Sequence, residues 1–83
     1  MMRELELLLD AYHLSPRERQ VVAAVVRGEA TKAIAASLGI SPYTVIEHLD
    51  RACAKVGVRG RKELVARLFA AAVAEISEHR DVG

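Results

Sequence analysis

The sequence has little of what builds disulfide, metal or membrane sites. Its single cysteine, Cys53, excludes an internal disulfide and a cysteine-rich metal site, and is typical of a protein from a reducing compartment. No apolar run approaches the roughly 18 residues that a membrane span needs, and the start, MMRELELLL, is too acidic for a secretory signal. These absences predict a cytoplasmic protein with no membrane association, no metal and no cofactor.

Aromatic residues are scarce as well. The 83 residues include one Phe, two Tyr and no Trp, although 52% of the chain is hydrophobic. A chain of this length buries a small aliphatic core, so we expect helix packing and a partner subunit to support it. We find no nucleophile with a base, no carboxylate pair in a cleft and no phosphate-binding loop, and therefore predict no enzymatic activity.

Residues 31–56, TKAIAASLGISPYTVIEHLDRACAKV, have the spacing of two short helices that cross at a tight turn. Thr31 is predicted to cap the first helix and Gly39 to end it, because glycine adopts left-handed backbone at no steric cost. Ser41 can cap the second helix, and Pro42 can occupy its first turn, where a missing N–H costs nothing. The segment predicts a helix-turn-helix, whose second helix usually lies in the major groove of DNA.

Helical counting divides the second helix, predicted from residue 42 to about 56, into two faces. The predicted core stripe consists of Val45, Leu49, Ala52, Cys53 and Val56, and the exposed stripe of Tyr43, Ile46, Glu47, Asp50 and Ala54. An exposed Ile46 is either an incidental surface residue or a contact for a thymine methyl group. His48 lies between the faces, where a hydrogen bond to phosphate or backbone is expected.

Three more helices are predicted around this motif. Ser15 and Glu18 form a capping box that begins one of them. Another runs from residue 61 to about 79, with Gly60 as its cap and Glu63 three residues later. The third is a short amphipathic lead-in over residues 1–13, before a domain over residues 14–80 and a frayed tail over residues 81–83. The helix-turn-helix is thus part of a small bundle.

The helix from residue 61 carries more apolar side chains than a small bundle needs to cover. Part of its surface is therefore expected to meet a second copy of the chain. The predicted dimer interface consists of Leu64, Leu68, Ala72, Val73 and Ile76.

Positive charge is concentrated in one segment, although the formal net charge is only +1. Residues 51–67 contain six basic side chains against one acid. The segment begins in the second helix of the motif and continues into the next helix. Such a cluster is either a solvated face or a phosphate-binding rim, and a neighbouring helix-turn-helix favours the rim. Lys32 opposes its helix dipole, so it either serves a phosphate or is an ordinary solvated lysine.

Together these motifs resemble the LuxR/GerE-type DNA-binding domain, which is also the output domain of NarL/FixJ-class response regulators. The resemblance covers residue 14 to about 69 and rests on LSPRER, IAASLGISPYTVIEHL and KVGVRGRKEL. It implies an all-α, four-helix bundle, here with an extra short N-terminal helix. It also implies binding to double-stranded, pseudo-palindromic promoter DNA as a homodimer through the last helix, with a sensor or receiver domain upstream in many members.

The resemblance also assigns residues to the DNA contact. Backbone contacts fall on Lys32, Ser41, Tyr43, Thr44, His48, Lys55 and Arg61, and base readout falls on Ile46, Glu47 and Asp50. The chain departs from the family at two positions: Ile46 stands where many members carry Lys, Arg or Gln, and Asp50 where many carry a basic or small polar residue. These departures leave a second interpretation open, namely a dimerisation or protein-interaction module that keeps the fold but binds DNA weakly or not at all.

Overall fold

The computed structural model describes the backbone of residues 7 and 9–82 and the side chains of residue 7 and residues 9–74. Four α-helices follow one another in this part of the chain: α1 (Pro16–Val26), α2 (Thr31–Leu38), α3 (Pro42–Val56) and α4 (Arg61–Val82). Residues 9–11 have helical backbone before α1, whereas residues 1–6 and 8 of the predicted lead-in helix lie outside the described residues. The predicted fold class, an all-α helix-turn-helix bundle, is confirmed.

Several helix ends form as the sequence predicts. The Ser15 hydroxyl accepts from the Glu18 N–H at 3.2 Å, and the Glu18 carboxylate accepts from the Ser15 N–H at 2.9 Å, which completes the capping box of α1. Gly39 ends α2 in the left-handed conformation, with φ of 68°. The Ser41 hydroxyl accepts from the Thr44 N–H at 3.1 Å and caps α3. Local side-chain chemistry therefore sets the turn between α2 and α3.

One of the predicted caps is wrong. Thr31 does not cap α2, because it is already the first helical residue; the N-cap is Ala30, which has extended backbone and no side-chain cap bond. The carboxylate of Glu63 accepts from the N–H of Arg59 at 3.3 Å, not from Gly60. Gly60 nevertheless precedes α4 as its N-cap, as predicted, because its carbonyl accepts from the Leu64 N–H as the first bond of the helix.

The core consists of two clusters of buried residues that share α3. One joins the N-terminal segment to α1, α3 and α4, and contains Leu9, Leu14, Val22, Ala52, Cys53, Val56, Val58, Leu64 and Leu68. The other joins α1, α2 and α3, and contains Val21, Ala24, Val25, Ile34, Ala35 and Val45. Leu49 packs against both clusters. Because its inner face fills both halves of the core, α3 is held along its whole length, and its other face is left to solvent.

The predicted dimer interface needs a correction. Leu64, Leu68 and Ala72 are only 0%, 2% and 4% exposed, because they fill the core of the single chain, so they are not open to a second copy. Val73 is 43% exposed, and Phe69, which the predicted interface omitted, is 58% exposed. The side chain of Ile76 lies outside the described residues. Of the predicted interface, only Val73 is described as an exposed apolar side chain.

Candidate nucleic-acid interface

The outer face of α3 presents a continuous stripe of exposed side chains. We call it the outer stripe, and it consists of Tyr43, Ile46, Glu47, Asp50 and Ala54. Tyr43 is 71% exposed and Ile46 is 46% exposed, which is high for large apolar side chains. On the opposite face Val45, Ala52, Cys53 and Val56 are buried, and Leu49 is half-buried. The division into a core stripe and an exposed stripe matches the prediction from helical periodicity.

The turn before α3 fixes the direction in which the outer stripe points. The Ile40 N–H donates to the Ala35 carbonyl at 3.1 Å, which closes the end of α2 around Gly39. The Ser41 and Thr44 hydroxyls also lie within hydrogen-bond distance of each other, at 3.0 Å. Ser41 and Thr44, two of the residues predicted to contact the DNA backbone, are thus adjacent at the start of α3, beside Tyr43.

Two carboxylates occupy the centre of the outer stripe. Glu47 and Asp50 are exposed, and within the described part of the chain neither forms an ion pair. A carboxylate about 7 Å from a phosphate is repelled by roughly 0.6 kcal/mol in water and about 2 kcal/mol at an effective dielectric near 20. One good base contact gives about 1 to 3 kcal/mol. The two acids therefore lower the affinity of the stripe for DNA of any sequence, and a base contact at a specific site can offset this cost.

Two predicted phosphate contacts, Lys55 in the last turn of α3 and Arg61 at the start of α4, have partners within the protein. The Lys55 ammonium lies 2.6 Å from Oε1 of Glu18 and 3.4 Å from the carbonyl oxygen of His13. Nη2 of the half-buried Arg61 donates to the carbonyl of Glu29. Lys32, in contrast, is exposed in the first turn of α2. Of these three cations, Lys32 is the one most available to an external anion.

Glu18 is nearly buried, with 4% exposure, and its charge depends on its hydrogen bonds. Burial alone would raise the pKa of this carboxyl, but the hydrogen bond from Lys55, the N–H of Ser15 and the positive charge of Lys55 together hold the pKa below its ordinary value. The Glu18 carboxylate thus has two roles: it accepts from Ser15 in the capping box of α1, and it pairs with Lys55 of α3. Sequence reasoning missed this pair because Glu18 and Lys55 are 37 residues apart and no local pattern connects them.

His48 lies at the flank of the outer stripe, half-buried. Its Nδ1 atom is buried and forms no hydrogen bond with any part of the chain that the structure describes. The placement between the two faces of α3 agrees with the prediction from the sequence. The buried, unpartnered nitrogen had no signal in the sequence.

The amino-acid sequence matches a model of a known protein family. The family model for bacterial regulatory proteins of the luxR family, GerE, matches residues 12–68. The chain belongs to the luxR family. This confirms the family predicted from the sequence motifs.

The relatives that the chain resembles include two transcriptional regulatory proteins and one spore germination protein. The chain is 46% identical over 56 residues to the transcriptional regulatory protein UhpA of Escherichia coli (strain K12), covering 68% of this chain and 29% of UhpA. It is 43% identical over 56 residues to the spore germination protein GerE of Bacillus subtilis (strain 168), covering 68% and 76%. It is 46% identical over 57 residues to the transcriptional regulatory protein FixJ of Rhizobium meliloti (strain 1021), covering 69% and 28%. The chain thus spans less than a third of UhpA and FixJ. No solved structure matches it significantly.

The luxR match begins at residue 12, but the packed structure begins earlier. Leu9 is 3% exposed and belongs to the cluster that supports the inner face of α3. Arg19 binds this segment through the carboxylate of Asp10 and the carbonyl of Leu14. The residues just before the family match are therefore part of the support of α3.

The cysteine of this luxR domain is a core residue. Cys53 is 5% exposed, and burial, with smaller contributions from Asp50 and Glu63, raises the pKa of its thiol. Within the described residues no group of three His, Cys, Asp or Glu side chains is placed to hold a metal ion. The same residues contain no helix long and apolar enough to cross a membrane.

An apolar groove, which sequence reasoning missed, lies between the end of α1 and the first half of α4. It is lined by Val25, Val26, Gly28, Arg61, Lys62, Val65, Ala66 and Phe69. Among these residues Val25 is buried, Val26 and Val65 are half-buried, Phe69 is exposed, and Arg61 and Lys62 are cations. The groove continues the exposed apolar surface of α4 toward α1.

Proposed function

We propose that the chain is the sequence-specific DNA-binding domain of a bacterial transcription regulator, with α3 in the major groove. The outer stripe of α3 carries this proposal, because it is exposed along the helix while the opposite face is fixed in the core. The major groove, about 12 Å wide, admits a helix presented in this way. Membership of the luxR family, in which UhpA and FixJ are named transcriptional regulatory proteins, supports the same function and gives no reason to expect catalysis.

Base readout in this proposal falls to Ile46, Glu47 and Asp50. A carboxylate can only accept hydrogen bonds, so the base group able to compensate Glu47 is the exocyclic amine of cytosine or adenine. Ile46, one residue before it and also exposed, can contact a thymine methyl group. We therefore expect a half-site with cytosine opposite Glu47 and a thymine next to it.

Contacts to the DNA backbone complete the interface. The proposed set is Lys32, Ser41, Tyr43, Thr44, His48 and Arg61. Lys55 has a different role, because its ammonium is held by Glu18 and by the His13 carbonyl. We assign Lys55 to positioning: it joins the last turn of α3 to the start of α1, and it adds positive potential near the DNA without a contact of its own.

The domain is proposed to act as a homodimer on a pseudo-palindromic operator. Phe69 and Val73 support this part, since two large apolar side chains one turn apart on α4 are 58% and 43% exposed. Phe69 also lines the groove between α1 and α4, which would widen the contact. A symmetric pair of domains reads two half-sites about one helical turn of DNA apart.

A sensor or receiver domain upstream is also part of the proposal. The matched region covers only 29% of UhpA and 28% of FixJ, so most of each of those regulators lies outside it. A regulator built in this way separates sensing from DNA binding. The signal would then act on the affinity of the domain described here.

A second candidate function is a dimerisation or protein-interaction module that keeps the fold without binding DNA. The unpaired acids Glu47 and Asp50 on the outer stripe favour it, because both repel phosphates. The two functions differ in their response to duplex DNA of random sequence. Only the first requires an electrostatic affinity for every duplex.

Binding to a random-sequence duplex, measured from low to high salt by fluorescence anisotropy, tests the proposal. A DNA-binding domain should bind at low salt, with log K falling linearly against log salt by about 0.9 for each phosphate that it neutralises. Absence of binding at low salt would favour the interaction module. A salt-independent association would also contradict a role for Lys32 and Arg61 at phosphates.

A further inference from the structure

His48 has one ring nitrogen that the rest of the described chain leaves unsatisfied. The ring is half-buried at the flank of α3, and its Nδ1 atom is buried without a hydrogen-bond partner among the described residues. Val45 and Ala52, one turn before and one turn after on the same side of α3, are buried apolar residues, with 1% and 0% exposure. Of the two ring nitrogens, only Nδ1 is both buried and without a partner in the described part of the chain, so the two nitrogens occupy different environments.

This asymmetry decides where the proton of the neutral ring lies. A neutral imidazole has one nitrogen that donates and one that accepts. A proton on Nδ1 would create a buried N–H with no acceptor, and such orphaned donors are rarer in folded proteins than unsatisfied acceptors. We propose that His48 carries its proton on Nε2, and that this N–H is the atom through which His48 contacts a DNA phosphate.

The phosphate contact rests on the proposed function, in which α3 lies in the major groove. His48 stands at the flank of the helix, whereas Ile46 and Glu47 occupy the exposed centre. A flanking donor faces the wall of the groove, where the phosphates lie, and phosphate and sugar accept half to two-thirds of protein–DNA hydrogen bonds. Because the buried edge fixes the ring, the direction of the Nε2–H is set before DNA arrives, unlike the ammonium of a flexible lysine.

The tautomer is tested on the free chain, by long-range proton–nitrogen NMR of the histidine rings. A bare ring nitrogen and an N–H nitrogen resonate far apart, so the spectrum identifies which nitrogen is protonated. At a pH where the ring is neutral, we expect His48 to show a bare Nδ1 and a protonated Nε2. The exposed ring of His13 serves as the internal comparison. A proton on Nδ1 of His48 would overturn the proposal, and this result does not depend on whether the chain binds DNA.

The phosphate contact is tested with two substitutions of unequal reach. In His48→Gln the amide nitrogen lies near the position of Nε2, whereas in His48→Asn it lies near Nδ1. At low salt and on a random-sequence duplex, we expect His48→Asn to bind about tenfold more weakly than the parent, and His48→Gln to stay within about threefold of it. Circular dichroism melting checks that both variants are folded.

His13→Asn is the matched control. It replaces the other histidine whose side chain is described, and asparagine suits the left-handed backbone there, where φ is 58°. We expect it to keep the parent affinity. Equal binding by His48→Asn and the parent, or equal weakening by both His48 variants, would overturn the phosphate contact. If the parent itself does not bind duplex DNA, the proposed function fails and takes the phosphate contact with it, while the NMR result still decides the tautomer.

Discussion

The Lys55 ammonium lies 2.6 Å from the Glu18 carboxylate and thereby joins the end of α3 to the start of α1. The two side chains differ in exposure, with Lys55 at 40% and Glu18 at 5%. The buried partner cannot be left alone cheaply, because an unpaired buried charge is strongly destabilising. This pair therefore holds the end of α3 against the start of α1, and it engages the Lys55 ammonium within the protein.

Glu18→Gln should lower the free energy of unfolding, and the loss should depend on pH. At pH 7 we expect roughly 1 to 3 kcal/mol, because the amide keeps an acceptor for Ser15 but loses the charge that Lys55 pairs with. The folded-state pKa of Glu18 is below the ordinary value of 4.5, so its contribution is fully present above that value and is lost as pH falls through the folded pKa. Urea unfolding from about pH 7 to pH 3 should show the gap between parent and variant closing. A gap that stays constant into acid would contradict the paired, ionised Glu18.

Lys32→Ala and Lys55→Met should affect DNA binding in different ways. Lys32 is exposed, so its loss should weaken binding to all duplexes and lower the salt slope by about one. Lys55→Met should leave the slope within about half a unit of the parent value and act mainly through a lower unfolding free energy, because Glu18 loses its partner. Anisotropy titrations at several salt concentrations, with urea unfolding of each variant, separate the two roles. Equal slope changes for both variants would show Lys55 at a phosphate.

Ala30→Ser should stabilise the domain by about 0.5 to 1 kcal/mol. Ala30 is the N-cap of α2, with φ of −73° and ψ of 152° and no side-chain cap bond, so a serine hydroxyl there can accept from an unsatisfied N–H of the first turn. Thr31→Ala is the control, and we expect a change within about 0.5 kcal/mol, because Thr31 is not the cap. Both values come from urea unfolding at neutral pH. If Thr31→Ala lowers the free energy of unfolding by more than Ala30→Ser raises it, Thr31 and not Ala30 is the cap.

Val73→Glu should weaken self-association while the monomer stays folded. Val73 is 43% exposed, so the new charge meets solvent in the monomer but would be buried against a second copy in the dimer. Ala74→Glu places the same charge at an exposed neighbouring position away from Phe69 and is the control. Sedimentation equilibrium of each variant, free and with a two-half-site duplex, gives the dimer constants. A parent chain that stays monomeric at high concentration and on DNA would remove the dimer.

The elements of this fold could be predicted from local sequence because local chemistry forms them. The Ser15 and Ser41 caps and the left-handed Gly39 each depend on groups within a few residues, and helical periodicity alone separated the two faces of α3. The prediction of Thr31 as the cap of α2 is wrong because the true N-cap, Ala30, has no polar side chain that signals a cap. A prediction based on side-chain type does not find an N-cap residue that forms no side-chain hydrogen bond, such as Ala30.

The tertiary relationships could not be predicted in the same way. Periodicity identified Leu64, Leu68 and Ala72 as apolar, but whether an apolar stripe meets its own core or a second copy depends on where α1 and α3 lie. The partner of Lys55 is 37 residues away, so the sequence alone groups the charge of Lys55 with the basic segment. Charge and hydropathy along a chain predict which residues can interact. The tertiary packing determines which partner each of them contacts.

Glu47 decides the central claim, that the outer stripe of α3 reads bases. Sites selected from a random duplex library by the parent and by Glu47→Ala, compared by sequencing, measure this directly, and Ala54→Ser on the same stripe is the control for an unrelated change. We expect the parent to select a half-site with cytosine at one position and thymine next to it. Glu47→Ala should lose preference at the cytosine position only. Uniformly tighter binding by Glu47→Ala with an unchanged site preference would show that Glu47 only repels DNA, and would contradict base readout by this helix.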